Sequence, residues 1–158
     1  MTQQQINWTD IVDRQTGLLT QNQNQILKKT RVLMLGLGGM GMNTAAQLVR
    51  AGFETFTLMD CDTVDGTTAN RTPFAFDDTF GAQKVDATLK YMKKINPAVS
   101  VQALPGMELD LDSDPDSMTG LIQSHDIASW AMDGIAGRIF YTRLTKQIGS
   151  NIKTGKPA

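Results

Sequence analysis

The sequence holds a single cysteine, Cys61, among 158 residues. A disulfide framework and a four-thiolate zinc site are therefore excluded within one chain. Charge of either sign is not in excess: fifteen Lys and Arg face sixteen Asp and Glu, a formal net of -1. No global field draws such a chain to nucleic acid or to a membrane surface. No apolar run approaches the length of a transmembrane helix, no secretory signal is visible, and there are no internal repeats or low-complexity tracts. What remains is an ordinary apolar fraction of 41%, enough to bury a real core in one domain. The expectation is a cytoplasmic α/β domain.

The chain is organised around Arg31 to Asp60. Val32-Leu33-Met34-Leu35 is short and wholly apolar, as in a buried strand of a parallel sheet. Gly36-Leu37-Gly38-Gly39-Met40-Gly41 follows at once, a G-x-G-x-x-G pattern with one extra glycine. A helical segment carries Ala45, Leu48 and Val49 on its apolar side and stops at Gly52. A second apolar strand, Thr55 to Met59, ends on Asp60. In such a unit Gly36 permits a tight turn, Gly38 and Gly39 let the backbone approach a phosphate, and Gly41 lets helix and strand pack closely. The helix amino end offers free N–H groups and a positive dipole to an anion. Asp60 is placed to accept hydrogen bonds from ribose hydroxyls.

Ahead of this unit, residues 1–30 form a polar arm with too few apolar residues for a core. Ile11, Leu18 and Leu19 suggest part of an amphipathic helix, and the Gln/Asn-rich segment 21–25 a loop or second short helix. The arm is expected to lie on the domain or on a partner subunit. Residues 31–158 read as a Rossmann-like parallel sheet with helices on both faces. After Asp60 comes the polar, turn-rich connection 61–71. Then follow a helix from Gly81 to Ile95 with Val85, Leu89 and Met92 on one face, stopped by Asn96-Pro97, and a strand from Val99 to Leu104. The acidic stretch 108–116 reads as surface loop. A short helix over 116–124 leads to a strand over 126–132 that ends at Asp133, and a last helix over 135–148 shows Ile139, Phe140, Leu144 and Ile148. Met34, Met59, Met92 and Met132 fall on apolar positions and are expected in the core. Cys61 lies between two acids, which disfavour its thiolate, so packing is expected of it rather than nucleophilic attack. His125, before a strand, is expected at the surface.

These motifs in this order resemble the ThiF/MoeB/HesA superfamily, the adenylyltransferases of sulfur-carrier pathways related to ubiquitin-activating enzymes. The resemblance rests on Gly36–Gly41, Asp60-Cys61-Asp62-Thr63-Val64, Asn70-Arg71, Gly81-Ala82-Gln83-Lys84, Ile95-Asn96-Pro97, the Arg14-Gln15 pair of the arm and the spacing of His125-Asp126 to Asp133. It implies adenylation of a carboxyl group, commonly the C-terminal glycine of a ubiquitin-like or sulfur-carrier protein, with ATP and Mg²⁺ and release of pyrophosphate. It further implies that Gly36, Gly38, Gly39 and Gly41 lie against phosphate and that Asp60 holds ribose, with Asp62 and Asn70 beside the cofactor. Arg71 and Lys84 would be phosphate-binding cations and Asp133 the acid that organises Mg²⁺. Arg14 would reach into a neighbouring subunit's site, in a homodimer or a heterodimer with a related subunit.

The chain departs from the family pattern at two places. Thr68 stands where the family has the first asparagine of Ser-Asn-Leu-x-Arg, keeping a hydroxyl but losing an amide. Trp130-Ala131-Met132-Asp133-Gly134 replaces Asp-Cys-x-Asp-Asn, so only the last acid survives. The sequence also stops where the family's Gly-Lys-Pro opens a further strand, so a sheet truncated at its C-terminal end is expected. An NAD(P)-dependent oxidoreductase is a rival reading, since glycine loop and Asp60 serve either cofactor. A non-catalytic partner subunit of an activating enzyme is another, favoured by Thr68 and the lost acids.

Overall fold

The computed structural model describes residues 6–105 and 115–135, together with 138, 139, 141–143 and 146. Its centre is a four-stranded, all-parallel sheet in the order β3-β2-β1-β4. The strands are β1 (Arg31–Leu35), β2 (Thr55–Asp60), β3 (Ser100–Pro105) and β4 (Ile127–Trp130). Helices α3 (Gly39–Arg50) and α5 (Lys84–Ile95) connect β1 to β2 and β2 to β3, and α6 (Pro115–Gln123) precedes β4. No helix among the described residues is long and apolar enough to cross a membrane.

Strand periodicity builds the two-sided core. In β1, Val32 and Met34 point into one cluster with Ala45, Val49, Val85 and Met92, under α3 and α5. Leu33 and Leu35 point the other way, onto Met59 and Met118 under α6. Because residues two apart share a face, a strand apolar at every position needs helices on both sides. Met34, Met59 and Met92 are buried as expected, and Met132 packs half-buried against the second cluster.

The arm is more helical than its composition suggests. α1 (Trp8–Val12) runs into a 3-10 turn over Asp13–Gln15, and the Gln/Asn-rich segment lies in α2 (Gln21–Lys29). Thr20 caps α2, exchanging hydrogen bonds with Gln23 in a capping box, which outweighs the poor apolar content of the segment. Leu18 is not on a helical face at all and is 84% exposed. The arm docks where α3 ends: Trp8 Nε1 donates to the Gly52 carbonyl at 2.8 Å and Gln15 Nε2 to that of Ala51 at 3.0 Å. Gly52, at φ +100°, leaves room for Val12 that a Cβ would fill to 2.7 Å.

Several expected boundaries shift. α5 begins at Lys84, not Gly81, because Gly81 sits at φ +81° in a turn. β3 runs one residue later than read. β4 ends at Trp130, three residues before Asp133: Ala131 N still donates to the Leu35 carbonyl, but Gly36, at φ +88°, turns β1 away and leaves nothing to pair with. The connection after β2 contains a single helical turn, α4 (Gly66–Ala69). His125 is half-buried rather than on the surface, its Nε2 2.8 Å from the buried Thr57 hydroxyl and its Nδ1 2.8 Å from the Leu121 carbonyl. Beside it, the Arg31 guanidinium and backbone N–H hold the Asp126 carboxyl at a pKa of about 2. In the expected last helix the described residues are helical. Phe140, Leu144 and Ile148 lie outside them, as do residues 108–114 of the acidic stretch 108–116.

Candidate functional site

A cleft of about 1100 Å³ opens at the carboxyl ends of β1, β2 and β4. The chain leaves β1 toward β2 on one side, while β4 flanks it on the other, so the crevice lies at the switch point where open α/β sheets hold ligands. Gly36 makes the turn out of β1 and Gly41 a close packing contact. Gly36 N–H donates to the Met59 carbonyl, and a Cβ on Gly36 would lie 2.8 Å from Ala131 and Met132. A Cβ on Gly41 would fall 1.9 Å from the Gly36 carbonyl oxygen, so this glycine sets the contact between α3 and β1. Gly38 caps α3 and has nothing within 4 Å of an added Cβ. No packing contact requires glycine there. Gly39 is pressed against the aliphatic stem of Arg71.

Asp60 is buried and ties two loops together. One carboxylate oxygen accepts from Leu37 N–H at 2.5 Å and the other from Asp62 N–H at 2.8 Å. The connection after it is stapled to the start of α5: Val64 N–H donates to Ala82, Gly81 N–H to Val64 and Lys84 N–H to the Asp62 carbonyl. Lys84 is buried along its stem and puts its Nζ 2.6 Å from Asp62. Arg71 is exposed on the cleft wall, and its carbonyl accepts from Asn43 Nδ2 at 3.0 Å. Asp65 caps α4, and the hydroxyls of Thr67 and Thr68, with their N–H groups, hold its carboxyl below the usual range.

The cleft thus brings together Gly36, Gly38, Gly39, Asp60, Asp62, Arg71, Lys84 and Asp133. It does not include Gly41, which packs beneath it, or Asn70, which is exposed outside it. Arg14 is also absent. Its neighbour Gln15 binds the carboxyl end of α3, a helix of twelve residues and about 18 Å, whose amino end forms the cleft. Thr68 is 2% exposed and turned onto Asp65, while its neighbour Thr67 lies on the wall. Cys61 is exposed and lines the cleft, contrary to the expected packing role, because the strand has ended and the chain has turned outward. Asn96 of the Ile-Asn-Pro run is fully buried, bonding Glu54 and the Ala98 N–H, and serves the fold.

Sequence reasoning missed Asn43, Trp130, Arg138 and Tyr141. Arg138 lies five residues past Asp133 in the expected helix, and no motif in the sequence names it. Metal ligation was expected at Asp133. Among the described residues, the one group of three acids and thiols whose ligand atoms lie within 4.8 Å of one another is Asp60, Cys61 and Asp62. Those acids are already engaged, by backbone N–H groups and by Lys84. Asp133 is exposed and has no hydrogen bond or ion pair among the described residues, so its donor set fits a magnesium ion that also takes phosphate oxygens.

The ThiF family model matches residues 4–156. The chain belongs to the ThiF family. The molybdopterin-synthase adenylyltransferase of Escherichia coli is 32% identical over 114 residues, which cover 72% of this chain and 44% of that protein. A tRNA threonylcarbamoyladenosine dehydratase of Bacillus subtilis is 40% identical over 80 residues, 51% of this chain and 32% of that one. Among solved structures, the E. coli tRNA N6-threonylcarbamoyladenosine dehydratase in complex with ATP superposes with a TM-score of 0.75 at 25% identity. That match covers 88% of this chain and 57% of the other. The chain therefore spans less than two thirds of the length of these relatives.

Proposed function

We propose that the chain forms the nucleotide-binding part of an ATP-dependent adenylyltransferase that activates the C-terminal carboxylate of a ubiquitin-like or sulfur-carrier protein. The observation that carries this reading is one cleft in which a glycine loop, a buried acid, three cations and an unengaged carboxylate converge. A relative of this family was solved with ATP, and another is named an adenylyltransferase. In the proposed complex the bare face of Gly38 and the end of α3 receive phosphate, and Asp60 receives ribose. Arg71 and Lys84 neutralise the α-phosphoryl group while the acceptor carboxylate attacks it and pyrophosphate departs. Little covalent help is needed from the protein; positioning and charge do the work. Magnesium bound at Asp133 would add Lewis-acid polarisation of the phosphates. Glycine loop and Asp60 would also serve NAD⁺, but a hydride-transfer reaction has no use for Arg71, Lys84 and Asp133 together.

Calorimetry separates these readings. ATP with Mg²⁺ is expected to bind and NAD⁺ to give no heat, and Arg71→Ala to weaken ATP by roughly 1.5–3 kcal/mol. Tighter NAD⁺ binding with ATP silent would overturn the proposal. The second reading, a partner subunit that binds without turning over, draws on the inward turn of Thr68. ATP–pyrophosphate exchange in the presence of carriers ending in Gly-Gly distinguishes the two.

Arg14 cannot serve its own cleft across the length of α3, so its proposed role requires a neighbouring subunit. Light scattering at high micromolar concentration is expected to give twice the chain mass of 17.3 kDa. A monomer under those conditions removes Arg14 from the proposed site.

A further inference from the structure

Arg71 is held along its stem and open at its head. Its N–H donates to the Thr68 carbonyl at 3.2 Å and its carbonyl accepts from Asn43 Nδ2 at 3.0 Å, so both backbone polar groups are engaged. Its side chain lies across the bare face of Gly39, where an added Cβ would fall 2.9 to 3.2 Å from Arg71 Cβ, Cγ and Cδ. Arg71 lines the cleft, and its guanidinium has no hydrogen bond or ion pair among the described residues. Asn43, in the second turn of α3, is the part of this arrangement that neither the glycine loop nor the Asn70-Arg71 motif carries. We propose that Asn43 is a positioning residue for ATP binding, which locks Arg71 to the amino end of α3 before the nucleotide arrives. The inference rests on the adenylyltransferase reading above.

The Asn43 amide uses its nitrogen twice. Nδ2 donates to the Gly39 carbonyl at 2.5 Å and to the Arg71 carbonyl, 28 residues further along the chain. Both neighbours are carbonyl oxygens, which only accept, so the nitrogen and not the oxygen of the amide must face them. Inside a helix asparagine is a poorer choice than alanine, because its amide competes for backbone groups. Here the two carbonyls it binds belong to the helix end and to the residue that bears the cation. The consequence is entropic. An arginine with a free backbone and stem loses rotamer freedom when a phosphate fixes its head. One already held at its N–H, its carbonyl and its stem loses less, and the difference appears as affinity. The end of α3 and Arg71 then meet the phosphates as one unit, so helix dipole and cation act on the same charges.

The test follows two ligands on the whole chain by calorimetry: ATP with Mg²⁺, and inorganic tripolyphosphate, which reports on the phosphate site alone. Asn43→Ala is expected to weaken both about three- to tenfold, the range of one net hydrogen bond. In an Arg71→Ala background the same substitution should change neither by more than about twofold, because no guanidinium is left to position. A merely structural role in α3 would cost the same factor with or without Arg71. Asn43→Ser separates the two bonds, since a serine hydroxyl reaches the carbonyl four residues back but not Arg71. It should bind as weakly as Asn43→Ala, and it keeps the test decisive if alanine disturbs the helix end. Parental affinity in either variant, or equal losses in the two backgrounds, overturns this inference alone, because the parent still binds ATP. A parent that binds neither ligand overturns the adenylyltransferase reading with it.

Discussion

Gly41→Ala is expected to leave the protein largely unfolded, while Gly38→Ala, three residues away in the same loop, leaves its stability intact. The added methyl at Gly41 would lie 1.9 Å from the Gly36 carbonyl oxygen and 2.9 Å from its carbon, with the Ala131 methyl 3.3 Å away on the other side. Both close neighbours are backbone atoms held by sheet hydrogen bonds, so no rotamer change relieves the clash. Overpacking against movable side chains costs about 1–3 kcal/mol. Here the amino end of α3 must lift off β1, and about 4 kcal/mol or more is expected, against a total of about 5–15 for a domain of this kind. At Gly38 the same methyl meets nothing within 4 Å, and φ -74°, ψ -162° suits any residue. Its stability should stay within about 1 kcal/mol of the parent. Its ATP affinity, however, should fall at least about tenfold, since the methyl occupies the space through which a phosphate reaches the helix end. Urea denaturation gives the first comparison and calorimetry the second. A Gly41→Ala protein with the parental midpoint would refute the packing role, and a Gly38→Ala protein with parental ATP affinity would remove the phosphate from this loop.

What the sequence revealed and what it hid follow from the range of the interactions involved. The strand–glycine loop–helix–strand unit is local: its apolar runs, its stop at Gly52 and its closing acid lie within thirty residues, and the structure follows them closely. In the arm, segment 21–25 stayed open between loop and short helix because the arm's helices rest on side-chain caps, Asn7 with Asp10 and Thr20 with Gln23, rather than on apolar periodicity. The start of α5 was misplaced by three residues and the end of β4 by two because a left-handed glycine ended the regular geometry, once at Gly81 and once across the sheet at Gly36. The cleft residues named in advance were those carried by short motifs. Asn43 and Tyr141 act on partners 28 and 11 residues away in sequence, Arg71 and Trp130, and no local pattern announces such pairs. Thr68 shows the converse: its motif position pointed to phosphate, but the capping box with Asp65 turns it into the fold and leaves Thr67 on the wall.

Asp60→Ala is expected to weaken ATP by roughly 1.5–3 kcal/mol, or about 10- to 150-fold, and to lower stability as well. Both effects arise from one carboxylate with two duties. Its oxygens accept the N–H groups of Leu37 and Asp62, joining the glycine loop to the connection that carries Lys84's partner. Truncation strands two donors, each costing about 1–3 kcal/mol where water cannot reach it, and the cleft side of the pair can rehydrate. Asp60→Asn is no remedy, because its amide would point a donor at one of those N–H groups. A loss of ATP affinity could therefore mean either a lost ribose contact or a displaced loop, and a second ligand separates them. Inorganic tripolyphosphate carries the phosphates without the ribose, so it reads the glycine loop, Arg71 and Lys84 alone. With Asp60 on the ribose, Asp60→Ala should weaken ATP by the full factor and tripolyphosphate by less than about threefold. Equal losses for both ligands would show that Asp60 only braces the loop, and the nucleotide would then need another residue to hold its sugar.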